Sequence, residues 1–107
     1  MRVRYVPRRG GSGVWCYAEK GEKSNKKVPT LIWLHGIGAD KDTWPIMIKY
    51  VSGDNHCIAL DLPGHGGTTF VEDLDTLNLD GYVESLKEFV ELVGLNNEPV
   101  NIVGYTF

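Results

Sequence analysis

Three short glycine-bearing stretches hold most of the residues able to do chemistry: His35-Gly36-Ile37-Gly38, Asp61-Leu62-Pro63-Gly64-His65-Gly66-Gly67 and Gly104-Tyr105-Thr106. Each follows a compact apolar run, at residues 31–34, 58–60 and 100–103, the pattern of a buried strand that breaks into a tight loop. The imidazoles of His35 and His65, the carboxylate of Asp61 and the hydroxyl of Thr106 are groups used in proton transfer and nucleophilic attack. Glycines beside them allow backbone to approach a ligand closely. The His and Asp spacing matches no metal-binding pattern, so neither a metal nor a cofactor is expected. His35 and His65 read as loop residues with a structural hydrogen-bonding role, and His56, which opens an apolar run, as a surface or half-buried residue.

The elements that must position these loops follow from hydrophobic periodicity. Residues 3–6 and 14–18 read as two strands of a hairpin around Gly10-Gly11-Ser12-Gly13. Residues 30–34, 56–60 and 100–103 read as further strands. Between them, Trp44, Met47, Ile48 and Val51 fall on one helical face, with Asp42 or Thr43 as the cap, Pro45 in the first turn and Gly53 as the stop. Leu79, Tyr82, Val83, Leu86, Phe89, Val90 and Val93 form the apolar stripe of a second helix over 79–93. Glu84, Lys87, Glu88 and Glu91 are placed on its other side, Asn78 or Asp80 at its start and Gly94 at its end. Strands alternating with helices over short connections predict a mostly parallel, helix-covered sheet behind an antiparallel hairpin. Such sheets bind ligands at the carboxyl ends of their strands, where all three glycine loops fall. Val100–Val103 is expected to be an uncovered edge.

Composition narrows the class. A chain of 107 residues with 42% hydrophobic and 23% charged residues is one ordinary globular domain at most. No apolar run reaches the roughly 18–20 residues of a membrane span, and Met1-Arg2-Val3-Arg4 has no signal-peptide core behind it. Cys16 and Cys57 lie within apparent strands and are expected to be buried and reduced. Eight of the eleven Lys and Arg residues lie in residues 1–27, against only Glu19 and Glu22. That flank could meet an anionic lipid surface, but its Gly, Ser and Asn content favours a solvated loop. Aromatics do not interleave with the basic residues, so nucleic acid is not expected as a partner.

Taken together, these residues resemble the alpha/beta-hydrolase fold family, and within it the membrane-anchored monoacylglycerol lipases. The resemblance is carried by Val3-Arg4-Tyr5-Val6, Leu34-His35-Gly36, Asp40-Lys41-Asp42-Thr43-Trp44, Asp61-Leu62-Pro63-Gly64-His65-Gly66-Gly67-Thr68-Thr69, Leu79-Asp80-Gly81 and Val103-Gly104. It implies an α/β architecture, the amino-terminal half of the hydrolase fold, with residues 1–107 forming a partial domain that stops at the nucleophile elbow. In such enzymes a serine within Gly-x-Ser-x-Gly attacks an ester while backbone N–H groups hold the oxyanion. The resemblance makes Gly104 the first elbow glycine and puts Thr106 at the nucleophile position. Threonine departs from the family there, since its β-branch resists the strained elbow backbone. It makes the Ile37 backbone N–H an oxyanion donor, with His35, Gly36, Gly38, Gly64, His65 and Gly66 shaping the two loops. Asp61 precedes the elbow, out of the serine, acid, histidine order of the triad, and is therefore expected to fix a loop. Acid and base would lie beyond Phe107, and the family's membrane helix ahead of Met1.

The expected activity of the parent enzyme is hydrolysis of a lipid ester, monoacylglycerol to fatty acid and glycerol, with membrane association of the full-length protein. Two other readings remain open on the residues. The chain alone could be a non-catalytic truncated product, or it could belong with epoxide hydrolases and haloalkane dehalogenases, which share the His-Gly and Asp-x-Pro-Gly-His-Gly loops but place an aspartate at the elbow.

Overall fold

The computed structural model describes residues 1–23, 28–36, 38–51, 53–69 and 79–104. Strand β1 (Arg2–Pro7) turns back on β2 (Val14–Lys20) with Val3 opposite Ala18 and Val6 opposite Trp15. The connection contains Gly10, Gly11 and Gly13, all at positive φ, where a side chain would be strained. Strand β2 then pairs antiparallel with β4 (Cys57–Leu60), and β4 pairs parallel with β3 (Thr30–Leu34), which pairs parallel with β5 (Val100–Gly104). The sheet order is β1-β2-β4-β3-β5.

This order sets the site. Leu34 lies opposite Leu60 on one side and Gly104 on the other. Strands β3, β4 and β5 therefore end at one level, at Leu34, Leu60 and Gly104.

Strand β4 is buried along its whole length, as expected of a strand covered on both faces. Its alternation splits the core in two. Ile58 and Leu60 join Trp15, Tyr17, Ile32, Phe89 and Leu95 on one face, whereas Cys57 and Ala59 join Ala18, Trp33, Trp44 and Ile48 on the other. Helix α2 (Leu79–Leu92) covers the first face through Phe89, whose ring lies 5.4 Å from Trp15 and 5.3 Å from Tyr17. It ends as a Schellman motif: Gly94, at φ +76, donates to the Glu91 carbonyl, and Leu95 donates to that of Val90 and buries its side chain. Both cysteines are buried and free. Among the described residues no helix is long and apolar enough to cross a membrane.

Helix α1 (Pro45–Val51) covers the second face less fully than periodicity implies. Trp44 and Ile48 are buried and the Trp33 ring lies 5.1 Å from that of Trp44, tilted by 55°, but Met47 and Val51 are 50% and 61% exposed. Seven residues span only about 10 Å, so the helix meets the sheet over a single turn. Its cap also moves. The helical backbone begins as a 3-10 turn at Lys41–Thr43, so the capping carboxylate is Asp40, which accepts from the Asp42 N–H at 2.9 Å, rather than Asp42 or Thr43. Asn78 lies outside the described residues.

Two side chains expected at the surface are drawn into pairs. Glu88, assigned to the polar side of α2, accepts from Trp15 Nε1 and Arg8 Nε, each at 3.1 Å. Arg9 pairs likewise with Glu91, and Lys23 with Glu98. Arg8, Arg9 and Lys23 of the basic flank are thus matched to acidic groups on and after α2.

His56, expected at the surface or half-buried, is the second case and is only 6% exposed. Its Nε2 lies 2.7 Å from Glu19 Oε2 and its Nδ1 2.9 Å from Thr30 Oγ1, while Arg4 reaches Glu19 at 2.6 Å. Arg4, Glu19, His56 and Thr30 form a polar rung that crosses β1, β2, β4 and β3 in sheet order, at the edge opposite the glycine loops. β5 lies at the sheet edge with Ile102 60% exposed.

Substituting His56→Leu would strip the buried Thr30 hydroxyl of its partner and leave Glu19 with Arg4 alone. The expected loss is about 1–3 kcal/mol, read as a lower urea midpoint. Wild-type stability in His56→Leu would mean the rung contributes nothing.

Candidate functional site

The first residue after β4 organises the site. Asp61 is fully buried, and its backbone N–H donates to the Cys16 carbonyl at 3.0 Å, extending the β2–β4 contact by one residue. Its carboxylate accepts three hydrogen bonds: the Lys41 N–H at 2.7 Å on Oδ1, and the Lys41 ammonium at 3.0 Å and the Gly67 N–H at 2.9 Å on Oδ2. The Thr68 hydroxyl closes the group, donating to the Asp61 carbonyl and accepting from the Cys16 N–H. One carboxylate thus joins the end of β4, the turn that follows the His-Gly loop, and the far end of its own loop.

The charges follow from this layout. Burial alone would raise the Asp61 pKa, but the two amide donors and the Lys41 ammonium outweigh it and hold the carboxyl below its ordinary value. Lys41 is displaced the other way: burial opposes its charge, yet Asp61 raises its pKa. Burial also pushes the neighbouring Cys16 thiol up. Gly66, at φ +52, and Gly67 are needed for close approach: a Cβ on Gly66 would collide with the Asp61 carboxyl, and one on Gly67 would lie 2.8 Å from Cys16 Sγ. Lys41 entered the sequence reading only as part of a motif. Its role as the counter-ion was unmarked, since its partner lies 20 residues on.

The two histidines bridge the loops in both directions. His35, buried, sets Nδ1 2.7 Å from the carbonyl oxygen of Gly36 and accepts at Nε2 from the Leu62 N–H at 3.0 Å. His65 sets Nδ1 3.0 Å from the Pro63 carbonyl oxygen and accepts at Nε2 from the Gly38 N–H at 2.9 Å. The two rings lie 4.9 Å apart. The Gly36 carbonyl also accepts from Ala39, while Gly38 and Gly64 supply positive φ, +87 and +77, at the loop turns.

Both ring nitrogens of all three histidines are therefore engaged, so none of them offers a free nitrogen to a nucleophile. Gly104 ends β5 beside Leu34. Ile37 and Thr106 lie outside the described residues. Among the described residues no three His, Cys, Asp or Glu side chains are grouped as a metal site.

Replacing Asp61 with Asn would leave the Lys41 ammonium facing a neutral amide in a buried site, with an expected loss of about 3–5 kcal/mol near neutral pH. Because folding depresses the Asp61 pKa, its contribution is fully present above the ordinary value of 3.8 and is lost as pH falls through the lower folded value. The gap between wild type and Asp61→Asn in urea titrations should therefore narrow on acidification. An equal gap at pH 7 and pH 3 would contradict the charge assignment.

Comparison with known proteins agrees with this architecture. A family model for the alpha/beta hydrolase fold matches residues 29–107. The chain is similar to "Monoacylglycerol lipase ABHD6" of Bos taurus, 40% identical over 104 residues that cover 97% of this chain and 29% of that protein. The same protein of Homo sapiens is 38% identical with the same coverage. The chain thus spans under a third of the length of these curated relatives. Among solved structures, an epoxide hydrolase of the alpha/beta hydrolase superfamily, from metagenomes of hot environments, superposes with a TM-score of 0.79 at 23% identity, covering 98% of this chain and 33% of that one; it bears on the fold alone. The five-stranded order, the glycine loops at one sheet edge and the family match together make this chain a member of the alpha/beta hydrolase fold family.

Proposed function

We propose that this chain supplies the oxyanion-loop side of an ester-hydrolase site that acts on monoacylglycerols. The observation that carries the reading is the common exit level of β3, β4 and β5, with the His-Gly loop tied to the Asp61 loop by both histidines and by the Asp61–Lys41 pair. The likeness to the monoacylglycerol lipases supports the substrate class.

In this reading the backbone N–H of Ile37 is assigned the role of donor to the ester carbonyl oxygen. The resemblance to the family gives Thr106, two residues after Gly104 in the sequence, the elbow position from which a hydroxyl would attack the carbonyl carbon. The oxyanion formed by that attack gains most from a donor already in place, because no reorganisation is needed at the moment of reaction. The attacking hydroxyl must lose its proton to a base. The geometry assigns that role to none of His35, His56 or His65, each of which is committed at both nitrogens.

The chain alone is therefore expected to show no turnover of a chromogenic butyrate ester above background, and Thr106→Ala no further effect. Turnover abolished by Thr106→Ala would require a base elsewhere in these residues.

The positive test is a chimera in which residues 1–104 replace the matching segment of the bovine relative. Hydrolysis of monooleoylglycerol is expected, and Ile37→Pro, which removes the N–H, should cut kcat by about 10²–10³-fold at unchanged melting temperature. A folded but inactive chimera would overturn the function. An active Ile37→Pro chimera within tenfold of its parent would overturn the donor assignment.

A further inference from the structure

The hydrogen bonds of His35 and His65 leave no freedom in their protonation. A backbone N–H only donates, so the Nε2 atoms that receive Leu62 and Gly38 must both carry lone pairs. A carbonyl only accepts, so the Nδ1 atoms facing Gly36 and Pro63 must carry the protons. Both rings are neutral Nδ1–H tautomers, and each holds the backbone of the other loop. Adding a proton to either Nε2 sets two donors against each other and releases that bond. Adding one to both also puts two cations in rings 4.9 Å apart.

We propose that His35 and His65 are positioning residues that form a proton-sensitive clamp between Gly38 of one loop and Leu62 of the other, closed while both are neutral and opened when either takes a proton. The charges around His35 come from every neighbouring element. Asp40 of its own loop and Asp61 at the end of β4 favour protonation, Asp61 being already paired with Lys41 of the 3-10 turn, and His65 of the opposite loop disfavours it. Burial is the largest influence and, with His65, holds the His35 pKa below its ordinary 6.5 despite the Gly36 carbonyl and the two carboxylates. The folded state therefore binds this proton less readily than the unfolded chain. The His35 contribution to the clamp is complete above pH 6.5 and is lost as pH falls through the lower folded value. His65 is half-buried and faces His35, the Pro63 carbonyl and the Gly38 N–H.

The clamp stands on geometry alone; its effect on rate rests on the reading of Ile37 as an oxyanion donor. Amide hydrogen exchange of the 107-residue chain between pH 8 and pH 5, corrected for the intrinsic pH dependence of exchange, tests the clamp. Imidazole 15N shifts in the same samples report the tautomers. Both histidines should read as Nδ1–H at pH 8. Protection at Gly38 and Leu62 should fall by up to about tenfold per pH unit on acidification, while Ile58 and Ala59 in β4 stay protected.

In His65→Gln the amide oxygen can still accept from Gly38 but does not titrate. Protection at Gly38 should then persist to pH 5, while Leu62, held by His35, still loses its own. Equal protection at pH 8 and pH 5 in the wild type, an Nε2–H tautomer at pH 8, or unchanged acid sensitivity at Gly38 in His65→Gln would overturn the clamp. If His65→Gln fails to fold, the wild-type exchange and tautomer data decide alone. In the active chimera, His65→Gln should move the acid limb of kcat with KM unchanged. A clamp that opens in exchange while this limb stays fixed would retain the clamp and overturn the donor reading.

Discussion

Asp61 brings a negative charge into a fully buried position, and the layout of the functional edge follows from how that charge is met. An isolated buried carboxylate is costly enough that it would take up a proton instead. Here the Lys41 ammonium and two backbone N–H groups converge on it. Each donor comes from a stretch that would otherwise be a loose connection: the turn after the His-Gly loop and the Gly66-Gly67 end of the second loop. The charge needs all three partners, so the loops are held where the donors must be. The absence of a side chain at Gly66 is part of the same requirement, because a Cβ there would occupy the carboxylate's place.

The opposite edge of the sheet is joined by the same kind of chemistry. The rung of Arg4, Glu19, His56 and Thr30 ties four strands in their spatial order, and its groups are satisfied by one another. The two edges differ in what they hold. The rung links side chains on strands or just ahead of one, whereas the functional edge links side chains to loop backbone, which sets where main-chain N–H groups point. Main-chain donors of that kind are what an oxyanion needs.

Charge segregation along the chain has a structural explanation. Three of the eight basic residues in the first quarter of the sequence, Arg8, Arg9 and Lys23, face Glu88, Glu91 and Glu98, so part of the asymmetry between that quarter and the remainder is an internal pairing. Exposed pairs of this kind contribute only about 0–1 kcal/mol each. The half-buried Arg8–Glu88–Trp15 group does more, since it also satisfies an indole N–H under α2.

The elements themselves were legible in the sequence because they depend on local periodicity. The alternating hairpin strands, the apolar runs of β3 to β5, the stripe of α2 and its Gly94 stop all express a preference of neighbouring residues for one another or for one side of an element. The Asp61 loop and the His-Gly loop were legible for a related reason, since glycine and histidine crowded at a strand end have few other uses. What sequence reasoning missed was partner choice between distant elements. Lys41 finds Asp61, Glu88 finds Trp15, and His56 is buried between Glu19 and Thr30 because β4 inserts between β2 and β3, an order that no local pattern encodes. Met47 and Val51 were misplaced for the same reason: periodicity states which face of a helix is apolar, while the length of sheet beneath it decides how much of that face is covered. Local preference acts through the backbone and its immediate neighbours, so it survives in the sequence; burial of a charge or an imidazole depends on which strand lies alongside, and that is decided only when the sheet is assembled.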